Sequence, residues 1–567
     1  MSGRPAPGGI LETDEDLFRR LEQLNEIGSA LSQERNIDHL LEKILLAAKA
    51  ITRAAGGTLY VLEPSDEGPR LRFAIMRNET LDIAMGGTTG NPIPFYPVHL
   101  YGKDGKPNNQ MVAAYAALTG KTVNIADAYS EEGFDFSGTR NFDKKTGYRS
   151  KAFLTVPMKN HEGENIGVLQ LINCKDPATN EIGPFSHSDQ RLAESLASQA
   201  SIALTNRRLI NQLEELNDQL KKLFESLIAL INTAIDEKSP YTGGHCQRVP
   251  ALTMMLAEAV NETHEGPLRD FRMTDKDRYE LKIAGLLHDC GKVTTPVHVV
   301  DKATKLETIF DRINLVETRF EVLKRDLEIE ALKRKLELPG GTPEGAAASE
   351  QAVRIDRDLG DAVRKLEDDR EFLRHANIGG EVMSTETQER VKQIGTSRSW
   401  TDVSGKRVDF LTPDEIKNLT IARGTLTQEE RQTINHQIVA TIKMLEALPW
   451  PTHLRNVPEY AGGHHERMDG KGYPRGLTRE QMSVQARVMG IADIFEALTA
   501  KDRPYKRGKT LSESLKILGN FRQNGHVDPD LFDVFVRRKV YLRYAQQFLD
   551  REQIDEVDES QIPGFVP

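Results

Sequence analysis

The chain is poor in cysteine, with 3 in 567 residues. Cys174, Cys246 and Cys290 cannot build a disulfide framework, so stability must come from buried apolar surface, as in a reducing compartment. It also lacks any run of about 18 apolar residues, which excludes an apolar membrane-crossing helix and membrane insertion. The opening stretch MSGRPAPGGILETDEDLFRR has no apolar h-region, so the expectation is a cytoplasmic protein. A surplus of cations is missing as well. Lys and Arg number 75 against 85 Asp and Glu, a net charge of −10. General nucleic-acid binding is not expected from that balance. An anionic substrate would need metals or a few local Lys and Arg to attract it. What is present is an apolar content of 38%, enough for real cores. The length suggests three or four domains, or two large ones with connectors.

Residues 1–13 are rich in Gly and Pro and are expected to be disordered. From 14 to about 55 the pattern is helical, with Leu40, Leu41, Ile44, Leu45, Ala48 and Ile51 on one face. Strand-like runs follow at 57–62, 70–75, 151–158 and 166–172, separated by turn-rich segments such as HEGEN at 161–165. A further helix begins near 186–188, with a serine as N-cap before Asp189. Helices at both ends of an antiparallel sheet make an α+β domain over 14–205. This stretch resembles a GAF domain, on its hydrophobic outline and on GVLQLINCKD…PFSHSDQ. Cyclic-nucleotide phosphodiesterase members carry Asn-Lys, Phe and Asp-Glu here. This chain keeps Asn173, Phe185 and Asp189 but has Cys174 and Gln190 in place of the Lys and Glu. The resemblance implies a sensor for a small molecule or cyclic nucleotide of unknown identity. The alternative is that these residues simply hold the strand–helix corner.

Leu209, Leu213, Leu216, Leu220, Leu223, Leu227 and Leu230 are spaced 4, 3, 4, 3, 4 and 3 apart. That is a heptad a/d seam, and a coiled-coil linker over 206–230 joining two copies into a homodimer is expected. Beyond it, 231–550 reads as helices, interrupted by an insertion over about 308–423. The insertion begins with charged helices over 308–337 and 350–374 around a turn at 339–349, an antiparallel hairpin. Helices are expected again at 427–448, 484–500, 511–521 and 530–548, then a tail over 551–567.

The chemistry sits in this second half. His245, His288–Asp289, His436, His464–His465 and Asp493 are imidazole and carboxylate groups without thiolates. Such a set suits divalent first-row metals that activate water. Asp493 lies in VQARVMGIADIFEALTA, apolar on nearly every side, so its carboxylate needs a partner. Arg487, six residues back, sits off that face, which favours a metal. Lys292 follows Asp289 within one turn and can reach a phosphate as a point charge.

In order, these residues match the HD-GYP family of HD phosphohydrolases over about 225–310 and 424–545. The match rests on HDCGK at 288–292, HHERMDGKGYP at 464–474 and IADIFEALTAKDRPYK at 491–506. The resemblance implies an all-α bundle that hydrolyses cyclic di-GMP to pGpG, GMP or both. It implies two divalent ions, Fe or Mn, with a third in some members. His245, His288, Asp289, His436, His464, His465 and Asp493 would then be ligands, with Asp289 bridging two ions. Lys292, Arg503 and Lys506 would hold phosphate, and Gly472, Tyr473 and Pro474 would form the signature loop near guanine or phosphate. Asp289 and Lys292 would be the catalytic residues, Asp289 holding the ions that activate the water attacking phosphorus in line and Lys292 orienting the diester. Other readings are a non-catalytic cyclic di-GMP receptor, or a phosphodiesterase of another cyclic dinucleotide such as cyclic GMP-AMP. Members with three metals can carry a Glu where this chain has Tyr241; Asp236 and Glu237 are the nearest acidic alternatives. Cys290 replaces the usual aliphatic residue, as a small hydrophobe or an oxidisable thiol.

Overall fold

The computed structural model describes residues 14–176, 179–238, 244–338, 350–380, 382–501 and 508–565. The expected disorder of 1–13 therefore lies outside the described residues. The chain divides into two compact units, Met1–Lys222 and Leu223–Pro567.

In the first unit the expected N-terminal helix is two helices, α1 (Asp14–Gln33) and α2 (Ile37–Thr52). The break falls at Asn36, whose side chain accepts from the backbone N–H groups of Asp38 and His39 as the N-cap of α2. The long strands are β1 (Ala54–Glu63) and β2 (Arg70–Asn78), then, after β3 (Ile83–Gly86), β4 (Val98–His99), helix α3 (Val112–Thr119), β5 (Val123–Ile125) and α4 (Ser137–Thr146), β6 (Phe153–Lys159) and β7 (Asn165–Lys175). With β8 (Ile182–Gly183) they form one antiparallel sheet in the order β3-β2-β1-β7-β6-β5, β4 pairing β2 and β8 pairing β7. The strands missed in the sequence are 2 to 4 residues long, too short to show a period of two. The α2 face reads as expected: Leu40, Leu41, Ile44, Leu45, Ala48 and Ile51 are buried, together with Leu192, Ala193 and Leu196 of α5 (His187–Lys238).

Asn173 and Asp189 hold the corner. Asn173, at φ +58°, accepts the N–H of Lys151 and Ala152 at 2.8 and 3.0 Å. It also donates to Tyr148 Oη and Arg149 O at 2.9 and 2.8 Å. Asp189 is fully buried, accepts Ser186 N and Oγ at 2.9 and 2.8 Å, and pairs with Arg20. Both side chains are thus consumed internally. A separate cavity of about 400 Å³ in this unit is lined by Tyr60, Phe73, Phe95, Phe136, Phe153 and Gln170, among others.

In the second unit, Ile228 and Ile235 of α5 join the main core while the heptad leucines Leu223, Leu227 and Leu230 stay exposed. Then come α6 (His245–Asn261), α7 (Asp275–Leu287) and α8 (Val297–Val300). The inserted stretch holds α9 (Ile313–Leu336), α10 (Glu350–Asn377) and α11 (Thr385–Ser397), strands β9 (Ser399–Thr401) and β10 (Arg407–Asp409), and α12 (Pro413–Leu419). Ion pairs Glu317–Arg374, Glu321–Arg370, Lys324–Glu367 and Lys335–Asp356 run in opposite chain directions, so α9 and α10 are antiparallel. Val316, Phe320, Leu366, Leu373, Ile394 and Phe410 give this stretch its own small core. The bundle continues with α13 (Gln428–Glu446), α14 (Val457–Gly462), α15 (Val484–Thr499) and α16 (Leu511–Gln523). The expected helix at 530–548 is two, α17 (Pro529–Arg537) and α18 (Val540–Phe548), because Lys539 turns the backbone at φ +49°. The segment from 551 does not trail away: Gln553 donates to Thr499 O and Lys509 O at 2.8 and 3.0 Å, and Ile562 joins the core. All three cysteines are free and buried.

Candidate metal centre

Four short pieces of backbone bring the site together. His245 opens α6 behind Gly244, and His288 and Asp289 close α7. His464 and His465 follow α14, and Asp493 lies in α15. Glycines allow the approach. A Cβ on Gly291 would stand 2.6 Å from Thr441 N of α13, whose Oγ1 accepts Gly291 N at 2.9 Å. A Cβ on Gly490 of α15 would stand 3.2 Å from His464 O.

The side chains converge. His245, His288 and Asp493 offer ligand atoms within 4.8 Å of one another. So do His288, Asp289 and His464, and likewise His464, His465 and Asp493. His245 Nε2 lies 2.9 Å from Asp289 Oδ2 and 3.4 Å from Asp493 Oδ1. His288 Nε2 lies 3.2 Å from Asp289 Oδ2 and 3.9 Å from Asp493 Oδ1. The Nδ1 atoms point elsewhere: His288 Nδ1 donates to Gly285 O at 2.7 Å and His464 Nδ1 to Ala461 O at 2.5 Å. Those bonds leave Nε2 of each ring as the lone pair facing the centre. Lys292 Nζ pairs with Asp289 Oδ2 at 2.6 Å.

Burial and charge set the protonation states. Burial, with His465 and His288 adding to it, pushes His464 down to about 3. Burial also lowers His465. Burial alone would raise Asp289, but Lys292 and His288 hold its carboxyl well below the usual range. Asp493 is likewise held low against burial, by His245 and His464. Burial and Lys292 oppose a charge on His245, yet Glu496 and Asp289 raise it to about 9.

One atom decides whether these residues suit a metal. His464 Nε2 is buried and has no hydrogen-bond partner. A neutral imidazole with an unpaired inward lone pair, beside buried Asp289 and half-buried Asp493, is a site that a divalent cation completes. Six of the seven expected ligands meet here. His436 does not: it is exposed on α13 and joins none of these groups. Its position two residues from buried Ile438 puts it about 200° around the helix from the packed face. Arg487 pairs with Asp528 and leaves Asp493 to the imidazoles. Cys290 is buried in the core as a small hydrophobe. Asp236 and Glu237 belong to none of the groups. Arg503, Lys506 and Tyr241 lie outside the described residues.

The expected loop abuts the centre. The Tyr473 ring stacks on His465, centroids 5.0 Å apart and planes at 15°. The peptide bond before Pro474 is cis. Gly472 packs against the backbone of Glu466 and Arg467, where a Cβ would collide. Glu466 is 3% exposed and accepts Arg475 N and Leu477 N at 2.7 and 3.0 Å, pinning the loop. Sequence reasoning passed over Glu466 and also Glu496, whose Oε2 lies 2.6 Å from His245 Nδ1. The signal for Glu496 was available: a second acid three residues after Asp493 in the same apolar helix.

Comparison with known proteins agrees with this division. The GAF domain matches at residues 36–204 and the HD domain at 242–338 and, in a second form, at 409–531. The chain thus carries a GAF domain and HD-domain sequence. It is 46% identical over 81 residues to a 3'3'-cGAMP-specific phosphodiesterase of Vibrio cholerae, covering 14% of this chain and 19% of that protein. It is 46% identical over 74 residues to a cyclic di-GMP phosphodiesterase of Pseudomonas aeruginosa, covering 13% and 17%. The chain thus spans less than a fifth of the length of these relatives. Among solved structures, a GAF domain of an Acinetobacter phosphoenolpyruvate-protein phosphotransferase is 14% identical with a TM-score of 0.25, covering 34% of this chain and 98% of that one. No helix among the described residues is long and apolar enough to cross a membrane.

Proposed function

We propose that this GAF- and HD-domain chain is a metal-dependent phosphodiesterase that cleaves cyclic di-GMP to pGpG, GMP or both. The observation that carries the reading is the buried, unpartnered Nε2 of His464 amid converging imidazoles and carboxylates. His245, His288, Asp289, His464, His465 and Asp493 would hold two divalent ions, Fe or Mn. Such ions lower the pKa of water and neutralise charge on phosphoryl oxygens. The chain supplies orientation. The Nδ1 bonds of His288 and His464 keep their rings aimed, and Asp289, held ionised by Lys292 and His288, would act with those two imidazoles as one ligand group. Burial opposes charge on Lys292, but Asp289 raises its pKa, so the ammonium stays charged to hold a non-bridging phosphate oxygen. Tyr473 and Pro474 would border the nucleotide, with Arg503 and Lys506 as further phosphate contacts.

The substrate has a second candidate. Relatives are named for cyclic di-GMP and for 3'3'-cGAMP, and both dinucleotides share the diester chemistry. The test is anaerobic purification with metal analysis, then incubation with each dinucleotide and product identification. Cleavage of cyclic di-GMP is expected. Protein holding two ions that leaves both dinucleotides intact would instead be a receptor. Asp289→Ala should lose both metal and turnover; unchanged metal content would remove Asp289 as a bridge.

Regulation is proposed to enter through the first unit. Its aromatic cavity suits a small ligand, whereas Arg77 at its edge is already bonded to Met76 O, Met85 O and Glu42, leaving no spare charge there for a nucleotide phosphate. The seven heptad leucines of α5 are 48% to 65% exposed, the stripe a second copy would cover in a parallel coiled coil.

A further inference from the structure

The three best-defined imidazoles differ in what holds them. Neutral carbonyls three residues upstream hold His288 and His464. His245 is held by a carboxylate from another helix, Glu496 Oε2 at 2.6 Å from Nδ1. Glu496 is 1% exposed, and its other oxygen accepts Arg248 Nε at 2.7 Å. Gly244, at φ +88°, makes room for that arginine, since a Cβ would stand 2.6 Å from Nη1. Glu496 lies three residues after Asp493, so α15 both supplies a carboxylate to the centre and anchors the histidine that opens α6.

We infer that Glu496 is a positioning residue that makes the two ion positions unequal. The inference rests on the proposed two-ion centre. A carboxylate on Nδ1 fixes the proton there, orients the ring and makes Nε2 a stronger donor than a carbonyl does. His245 belongs to the ligand group with His288 and Asp493, and His465 to the group with His464 and Asp493. The carboxylate-backed imidazole serves the first group and not the second. The ion beside His245 is therefore held more tightly, and the ion beside His465 loads second. A carboxylate present merely to neutralise Arg248 has no need to aim its second oxygen at an imidazole.

The test titrates metal-free, full-length protein with Mn²⁺ and counts bound ion by electron paramagnetic resonance. Wild type should fill in two resolved steps. Glu496→Gln should weaken the tighter step by about 10- to 100-fold and keep the other. Arg248→Met, which leaves the carboxylate on His245, should keep both. A wild-type protein that fills two equal positions, or a glutamine variant that titrates like wild type, overturns the inference. So does Arg248→Met losing the same step as Glu496→Gln, which would make the carboxylate only the arginine's partner. Should the glutamine variant fail to fold, nitrogen-15 NMR of the Zn²⁺-loaded wild type decides: a His245 proton on Nδ1 supports the inference and one on Nε2 overturns it. Wild-type protein that takes up no Mn²⁺ strikes at the proposed function instead.

Discussion

Lys292 touches Asp289 and no other centre carboxylate in a direct ion pair, so its loss should spare the ligands. Lys292→Ala is expected to keep the metal content and slow hydrolysis about 10²-fold or more; an unchanged rate removes it from the mechanism. Gly291 is a packing requirement of the same turn. In Gly291→Ala the new methyl meets Gln437 O and Thr441 N, which should cost about 2–4 kcal/mol, read as a lower melting temperature. At this scale the sequence was informative where residue type alone carried chemistry. The six residues that converge could be named because carboxylates in apolar helices and paired imidazoles demand partners. His436 stands apart from the six because type says nothing of azimuth: the face that α13 buries carries Ile438 and Thr441, and Thr441 accepts the N–H of Gly291. The apolar helix around Glu496 signalled that this acid needs a partner, but its partner His245 lies 251 residues away in the chain, a distance no local pattern spans.

Helices were legible where periodicity was long. The α2 face and the span of α15 follow from apolar spacing and the start of α5 from a serine N-cap, while single residues decided the breaks at Asn36 and Lys539. For α5, Leu216→Lys with Leu223→Lys should turn a dimer into a monomer in sedimentation at micromolar concentration, since lysine at the same seam position of two successive heptads opposes pairing. A species already monomeric in wild type would dismiss that pairing. Just before the inserted stretch, Lys305 is 2% exposed and reaches Leu419 O and Met383 Sδ rather than a carboxylate. Burial pushes its pKa from 10.5 down to about 8. The folded state thus binds fewer protons than the unfolded state between those values, so stability rises with pH across that window. Lys305→Met should therefore stabilise the protein at pH 7, by up to about 3 kcal/mol, with the gain fading toward pH 10.5. A pH-independent difference in melting would contradict this.

Each unit encloses its own apolar core, and the centre draws every described ligand from the second. A fragment of residues 223–567 is therefore expected to fold and to retain metal and turnover; loss of metal from a folded fragment would show that the first unit completes the centre. The division into an α+β unit and a helical unit was readable from the switch between two-residue and heptad-like periods. The small core of the insertion was not, because Phe320 and Phe410 meet only after the chain returns. The cysteines add a practical consequence. Burial raises the Cys174 thiol to about 12 and the Cys290 thiol to about 11, and raises Cys246 as well. Thiolate is the species that alkylating reagents attack, so the native chain should be inert to them. Labelling would then act as a clock of local opening, Cys174 timing one half of the molecule and the other two thiols timing the half that gathers the imidazoles and carboxylates.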